Sequence, residues 1–246
     1  MNNNLEEFTN PTLYDVENRW GVDDEFYLAI AKRTGGPVLD LACGTGRLTR
    51  AIAEQGITVL GADVMQPMLD RAAELAPQLD IEWINADCRE FNLSMRFRLV
   101  LMTSHAFQFL LTDQDQTSTL SRIHDHLVAG GLFAFETRNR SDNTFRYSID
   151  GTRTKSVQDD QGHWIDVQTT SHYDPESQID HIEKISTIRQ SGESWSYRIA
   201  LRYTPIADIN RLLQDRGFSI LEQYGDWDCT KFSASSPEII TVCRKN

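Results

Sequence analysis

Short apolar runs alternate with stretches of helical periodicity along the first 140 residues. Each run stops at a polar residue, which is typical of buried strands, and apolar positions spaced by three and four residues between the runs predict helices. The alternation predicts an α/β fold with a doubly wound, mostly parallel sheet. The predicted strands of this part are 38–41, 57–62, 81–85, 97–102 and 132–136, and the main predicted helices are 26–32, 45–55 and 113–128.

The pattern changes between residues 151 and 203, where the chain becomes polar and loses helical periodicity. Apolar and polar residues alternate from Trp195 to Tyr203, which predicts a half-buried antiparallel strand, and we predict another strand at 179–188. We therefore expect residues 141–202 to form an antiparallel β insertion, after the fifth strand, that covers the acceptor site.

A helical pattern returns at 205–216, and apolar runs at 218–224 and 239–244 predict two final strands that pair antiparallel. These strands complete a seven-stranded sheet. The sequence thus predicts a core of residues 1–140 and 203–246, with the carboxyl ends of its parallel strands on one rim, where ligands bind.

The composition narrows the set of partners. The chain has 24 Lys and Arg against 36 Asp and Glu, a net charge of -12, so we expect neither nucleic acid nor an anionic membrane as partner. The first residues lack a signal sequence, and we expect a cytoplasmic protein. Its four cysteines form no C-x-x-C pair, so we predict no metal site. The oligomeric state is not determined by these patterns.

Acidic residues follow the first three predicted strands, and the first is followed by a glycine turn. Asp63 is placed to accept both hydroxyl protons of a ribose, which favours a nucleoside. A dinucleotide is disfavoured for two reasons. Its negatively charged pyrophosphate would lie close to the Asp40 carboxylate, and Thr49 stands where its usual motif has a third glycine. A nucleoside with an ammonium group and a cationic sulfur suits this lining better. S-adenosylmethionine is such a ligand.

Four segments resemble the class I S-adenosylmethionine-dependent methyltransferases, in the order and spacing of that family. Two positions differ from the usual family pattern. Ala42 replaces the first glycine of the first motif, and Ala129 replaces the proline of the turn before the fifth strand. The segments are Leu39-Asp40-Leu41-Ala42-Cys43-Gly44-Thr45-Gly46, Gly61-Ala62-Asp63-Val64-Met65-Gln66-Pro67-Met68-Leu69, Asn85-Ala86-Asp87-Cys88 and Leu127-Val128-Ala129-Gly130-Gly131.

The resemblance implies S-adenosylmethionine as methyl donor, S-adenosylhomocysteine as product and a Rossmann-like fold, and it assigns expected positions on this chain. The methionyl part is expected at Asp40, Ala42, Gly44, Thr45, Gly46, Thr103 and Ser104. The ribose and adenine are expected at Asp63, Val64, Met68, Asp87 and Cys88. The alternative for Asp63 and Asp87 is a helix cap or a solvated strand end, and for Met68 it is core packing.

Methyl transfer is an in-line displacement that needs alignment, a dry cavity and a base only if the acceptor starts protonated. His105 follows the fourth strand on the binding rim and is a candidate base, with a structural hydrogen-bonded histidine as the alternative. Tyr14 is a catalytic and cofactor-binding candidate because it resembles an N-terminal aromatic residue that covers the methyl group in some family members; the alternative is helix packing. Glu136 is expected to be a rim hydrogen-bonding group.

The motif of nucleic-acid amino methyltransferases is absent, because Thr103-Ser104-His105-Ala106-Phe107 occupies its place. We therefore expect transfer to a small-molecule acceptor, with N-, O- and C-methylation left open. The placement of the insertion resembles that of small-molecule N-methyltransferases. The alternatives are a noncatalytic module that binds the cofactor and a nicotinamide-dependent dehydrogenase.

Overall fold

The computed structural model describes residues 3–140, 151–159 and 161–246. The N-terminal part comprises a 3₁₀ helix, Asn3–Thr9, and two helices, α1 (Pro11–Glu17) and α2 (Val22–Thr34). The alternating part that follows contains β1 (Val38–Leu41), α3 (Arg47–Ala53), β2 (Val59–Asp63), α4 (Gln66–Leu75), β3 (Glu82–Asn85), β4 (Phe97–Met102), a 3₁₀ helix (Ala106–Phe109), α5 (Asp113–His126) and β5 (Leu127–Arg138).

The remaining elements form a second sheet and the end of the first. The second sheet contains β6 (Gly151–Gln158), β7 (Trp164–Asp174), β8 (Ile179–Ile188) and β9 (Ser194–Arg202). The chain then returns to the first sheet through α6 (Ile206–Asp215), β10 (Phe218–Tyr224) and β11 (Glu238–Lys245).

The first sheet has seven strands in the order β10-β11-β5-β4-β1-β2-β3. The pairs among β1 to β5 are parallel, and β11 runs antiparallel to both of its neighbours. This arrangement confirms the predicted doubly wound, mostly parallel sheet and the antiparallel pairing of the last two strands. All parallel strands end on the same rim.

Both faces of this sheet are buried under helices, as expected of a parallel sheet. Leu39 and Leu41 of β1 pack on the face that α5 and α6 cover, and Val38 packs on the face that α2 and α3 cover. Because β1 is buried on both faces, its sequence lacks the regular alternation of apolar and polar residues that a half-exposed strand shows.

The second sheet is antiparallel, in the order β6-β7-β8-β9, and contains the predicted strand at 179–188. The proposed division into a core and an insertion at 141–202 remains a prediction, and residues 141–150 lie outside the described part. Within the described ranges, no helix has the length and apolar character that crossing a bilayer requires.

Among the element bounds that differ from the predictions, two have a clear structural reason. Helix α3 begins at Arg47 because Gly46 before it has a φ of 70° and cannot belong to a helix. Strand β5 begins at Leu127 rather than at 132: Phe97 pairs with Leu127 and Leu99 with Leu132, so residues 128–131 form an irregularity inside the strand. The Gly130-Gly131 pair therefore lies in a bulged strand rather than ending the helix.

Candidate functional site

A cavity of about 670 Å³ lies at the carboxyl ends of the parallel strands. Residues from two parts of the chain line it, and we name them by origin. The strand side consists of Ala42, Gly44, Asp63, Val64, Met65, Met68, Ala86, Asp87, Cys88, Arg89, Met102, Thr103, Ser104, Ala106, Phe109 and Leu110. The N-terminal side consists of Asn4, Leu5, Glu6, Phe8, Thr9 and Tyr14.

Asp63 ends β2 and connects the first loop to helix α4. Its Oδ2 accepts a hydrogen bond from the Gly44 N–H at 2.8 Å, and its Oδ1 accepts one from the Met65 N–H at 2.8 Å. Burial raises the pKa of this carboxyl, and the backbone donors oppose that shift. A carboxylate fixed at both oxygens keeps further lone pairs for a ligand in the cavity.

The two glycines of the first loop have different roles. A Cβ at Gly44 would lie 3.4 Å from Met68 Cε and 3.7 Å from the Tyr14 hydroxyl, so Gly44 faces the cavity. A Cβ at Gly46 would lie 2.3 Å from the Trp83 ring. Gly46 does not line the cavity, and its missing side chain makes room for Trp83, which packs behind the loop.

Asp40 is almost fully buried at the end of β1. Its Oδ2 accepts a hydrogen bond from the Thr49 hydroxyl at 2.6 Å, whereas Oδ1 has no hydrogen-bond partner in the described part of the chain. Burial raises the pKa of the carboxyl to about 7. Asp40 lies outside the main cavity and lines a smaller one of about 20 Å³, which Ala42, Tyr14 and Thr45 also line. An unpartnered buried carboxylate oxygen is suited to an ammonium group.

Tyr14 lies on α1 and lines both cavities. The helix begins at an Asn10 cap, whose side chain accepts from the Leu13 N–H at 3.1 Å. The Thr45 hydroxyl donates to Asp15 at 2.6 Å and so fixes α1 to the first loop. Burial raises the pKa of Tyr14 to about 12, so its phenol stays protonated near neutral pH. The structure thus brings Tyr14 into the cavity. Thr45 holds the helix of Tyr14 against the loop through its hydrogen bond with Asp15.

Asp87 and Cys88 follow β3 and line the strand side. Asp87 accepts several hydrogen bonds from Arg89, including one from Nη2 at 2.5 Å, and this guanidinium lowers the pKa of the carboxyl. Arg89 also binds Asp115 at the start of α5, at 3.1 Å. Burial raises the pKa of the Cys88 thiol to about 11, so the thiol is neutral. Both residues thus line the cavity, and their contact with adenine remains a prediction.

His105 does not line the cavity, in contrast to the expectation for a general base. Its Nε2 lies 3.0 Å from Glu238 Oε2, and its backbone N–H donates to Glu136 at 2.8 Å. Burial lowers the pKa of His105 to about 3 and raises that of Glu238 to about 8. The geometry therefore supports the structural alternative for His105. Glu136 is fully buried rather than exposed on the rim, and its carboxylate also accepts a hydrogen bond from the Tyr27 hydroxyl.

Two aromatic residues of the cavity were missed by sequence reasoning. Phe8 packs edge-on against Tyr14, with ring centroids 5.8 Å apart, and lies 5.4 Å from Phe109. The available signal was an isolated phenylalanine in a polar N-terminal stretch, which does not identify a partner. We call these three rings the aromatic wall of the cavity. Phe8 and Tyr14 belong to its N-terminal side, and Phe109 belongs to its strand side.

The N-terminal side is held in place by the second sheet. The Asn4 side chain donates to the Ala200 carbonyl of β9 at 3.0 Å and accepts from the Ala200 N–H. Lys184 of β8 binds Glu7 at 2.5 Å and Glu17 at 2.8 Å. The second sheet therefore determines where Phe8 and its neighbours lie.

Comparisons with known proteins agree with this geometry. The family model of a methyltransferase domain matches residues 38–131. The chain is 26% identical, over 212 residues, to the cypemycin N-terminal methyltransferase of Streptomyces sp, with 86% of this chain and 84% of that protein covered. It is 24% identical, over 246 residues, to a glycine/sarcosine N-methyltransferase of Halorhodospira halochloris, with 95% and 84% covered. The family match over residues 38–131 and these relatives support a class I S-adenosylmethionine-dependent methyltransferase.

Solved structures agree with this methyltransferase assignment at the level of the fold. The CcbJ methyltransferase of Streptomyces caelestis superposes with a TM-score of 0.81 at 21% identity, and 97% of each chain is covered. CalS10, an amino pentose methyltransferase from Micromonospora echinaspora, gives a TM-score of 0.74 at 17% identity, with 95% of each chain covered. The chain is thus an enzyme with S-adenosylmethionine as its cofactor, and neither a dehydrogenase nor a noncatalytic module is favoured.

The residues at the rim fit this cofactor. Asp40 offers an unpartnered buried oxygen to an ammonium group, and Asp63 offers a fixed carboxylate to a ribose. Gly44 leaves open the space that a side chain would fill between Met68 and Tyr14. Within the described ranges, no group of three or more His, Cys, Asp or Glu side chains is arranged to hold a metal ion.

Proposed function

We propose that the strand side of the cavity binds S-adenosylmethionine. Asp63 accepts the ribose hydroxyls, Asp87 and Cys88 contact the adenine edge, and Val64 and Met68 pack against its ring. The methionyl part extends past Gly44 and Ala42 toward Thr103 and Ser104, with its ammonium at Asp40. This placement is supported by the fixed carboxylate of Asp63 and by the free Oδ1 of Asp40.

The acceptor is an amino group of a small molecule, bound against the N-terminal side. The observation that carries this proposal is the aromatic wall of Phe8, Tyr14 and Phe109, which lines the same cavity as Asp63. Aromatic faces stabilise cationic nitrogen, which methylation of an amine leaves behind. Two relatives add support by their names: one is a glycine/sarcosine N-methyltransferase, and the other is the cypemycin N-terminal methyltransferase.

The cofactor supplies a methyl group on a positively charged sulfur, which leaves as a neutral thioether. This chain's residues align the acceptor nitrogen with that methyl group and exclude water. Tyr14 keeps its proton, so it acts as a hydrogen-bond donor and a wall rather than as a base. An acceptor that enters as the free amine needs no protein base, which agrees with the position of His105 outside the cavity.

The test is transfer from methyl-labelled S-adenosylmethionine to matched pairs of acceptors. Each pair contains an amine, such as glycine, an amino sugar or a short peptide, and its analogue with hydroxyl in place of amine. We expect label in at least one amine and in none of the hydroxyl analogues. Label in hydroxyl analogues alone would contradict the amine assignment, and cofactor binding without any transfer across a broad metabolite pool would contradict the catalytic one.

A further inference from the structure

Two consecutive residues at the cavity have left-handed backbone conformations. Ser104 has a φ of 56° and His105 a φ of 60°, and neither is glycine. Such conformations are strained in residues other than glycine, and they persist only where surrounding contacts impose them. The turn therefore requires something that holds it.

The contact that holds this turn is the buried carboxylate of Glu136 in β5. Its Oε1 accepts the His105 backbone N–H at 2.8 Å, and its Oε2 accepts the hydroxyl of Tyr27 from α2. Tyr27 and Glu136 are both almost completely inaccessible to solvent. One oxygen of the carboxylate is thus fixed by a helix on the sheet face, while the other fixes the turn.

The turn positions cavity residues on both of its sides. Thr103 precedes it, Ser104 is its first residue, and the short 3₁₀ helix that follows contributes Ala106 and Phe109. The Ser104 side chain also lies beside the Tyr14 phenol, where it opposes the rise that burial causes in the pKa of Tyr14. A shift of the turn would therefore move both Ser104 and one ring of the aromatic wall.

We propose that Glu136 is a positioning residue that holds the Ser104–His105 turn and thereby aligns Ser104, Tyr14 and Phe109 for methyl transfer. The consequence for catalysis rests on the proposed function. Misplacement of groups at a reacting centre by about 1 Å can lower turnover by about a hundredfold. The backbone of His105, rather than its imidazole, is the part of that residue that matters for alignment.

Three substitutions separate this role from general support of the core. Glu136→Asp keeps the charge but withdraws the carboxylate from the His105 N–H by one methylene. Glu136→Gln keeps an oxygen that accepts from that N–H. Tyr27→Phe is the matched control, because it removes the Tyr27 hydrogen bond and leaves the contact between Glu136 and His105 in place.

The first readout is amide hydrogen exchange of residues 103–109 in the protein without cofactor. We expect exchange at least about tenfold faster in Glu136→Asp, and within about threefold of wild type in Glu136→Gln and Tyr27→Phe. In turnover, we expect kcat to fall at least about tenfold in Glu136→Asp alone, with S-adenosylmethionine affinity within about threefold of wild type in every variant.

If Glu136→Asp shows the same hydrogen exchange and the same kcat as wild type, the proposal is overturned. Equal acceleration of exchange in all three variants would also overturn it, because that pattern marks a general loss of core stability. If the wild-type enzyme methylates no acceptor, the proposed function fails, and the exchange measurement still decides whether Glu136 holds the turn.

Discussion

The strand side and the N-terminal side of the cavity are built in different ways. Asp63 on the strand side is fixed by backbone N–H groups of Gly44 and Met65, which lie at the ends of adjacent elements of one sheet. The position of Phe8 on the N-terminal side depends on contacts that Asn4 and Glu7 make with the second sheet. The partner of Asn4 is Ala200, which is 196 residues away in the sequence.

The difference implies that the two sides can be changed separately. The strand side is a consequence of the parallel fold, and in our proposal it binds the donor that the whole family shares. The N-terminal side depends on the second sheet, so a change there can alter the acceptor without altering donor binding. Each prediction below tests this separation.

The largest effect is expected for Asp63→Ala. The substitution removes the proposed ribose acceptor and leaves the Gly44 and Met65 N–H groups without their partner. We expect S-adenosylmethionine binding to weaken by more than about tenfold, the loss of a paired hydrogen bond of about 1.5–3 kcal/mol. Calorimetry measures it, with the exposed Asp70→Ala as control. Unchanged affinity would show that the ribose is held elsewhere.

The next effect is a pH dependence of S-adenosylmethionine binding at the strand side. Burial raises the pKa of Asp40 to about 7. Because an ammonium ligand requires the ionised carboxylate, we expect affinity for S-adenosylmethionine to rise up to about tenfold from about pH 6 to about pH 8. Asp40→Asn should bind weakly and without this dependence. A flat profile in wild type would contradict the pairing of Asp40 with the ammonium.

The same pKa shift has a consequence for stability without cofactor. A carboxyl whose pKa is higher in the folded state stabilises the fold most below its unfolded value of about 4, and this contribution is lost as the pH rises through about 7. Denaturation of wild type against Asp40→Asn across this range should show stability falling with pH in wild type relative to the variant.

A smaller effect, confined to the other side, is expected for Lys184→Met. The variant breaks the ion pairs with Glu7 and Glu17 and frees the 3₁₀ helix that holds Phe8. We expect the acceptor KM to rise about fivefold and S-adenosylmethionine affinity to stay within about twofold of wild type. Lys155→Met, which loses only a more exposed pair with Glu17, is the control. Equal loss of donor affinity would mean that the two sides are not separate.

The smallest effect is expected for Ala42→Gly. Ala42 has a φ of 61°, where glycine is relieved of side-chain strain but loses more backbone freedom on folding. We expect the free energy of unfolding to rise by about 0.5–1 kcal/mol, measured by chemical denaturation, with donor affinity within about twofold of wild type. A decrease in stability would show that the loop does not strain Ala42.

The sheet and the acidic strand ends were predictable because both follow from local patterns. Apolar runs that stop at Asp40 and Asp63 fix where strands end, and parallel strands end on one rim. The contact between Gly46 and Trp83 was not predictable, because a motif does not show which tertiary neighbour occupies the space of a missing side chain.

The rest of the site depends on contacts between residues distant in sequence. His105 lies directly after β4, yet the left-handed turn places its imidazole at Glu238 of the last strand. Phe8 reaches the cavity because strands of the second sheet fix the 3₁₀ helix around it. Sequence periodicity contains no information about either pairing, so the base assignment was not supported and the aromatic wall was missed.

The separation of donor and acceptor sides is tested most directly by calorimetric titration of S-adenosylmethionine into three proteins: wild type, Asp63→Ala and Lys184→Met. The account predicts binding by wild type, affinity weakened more than about tenfold in Asp63→Ala, and affinity within about twofold of wild type in Lys184→Met. Equal weakening in both variants, or none in Asp63→Ala, would contradict it.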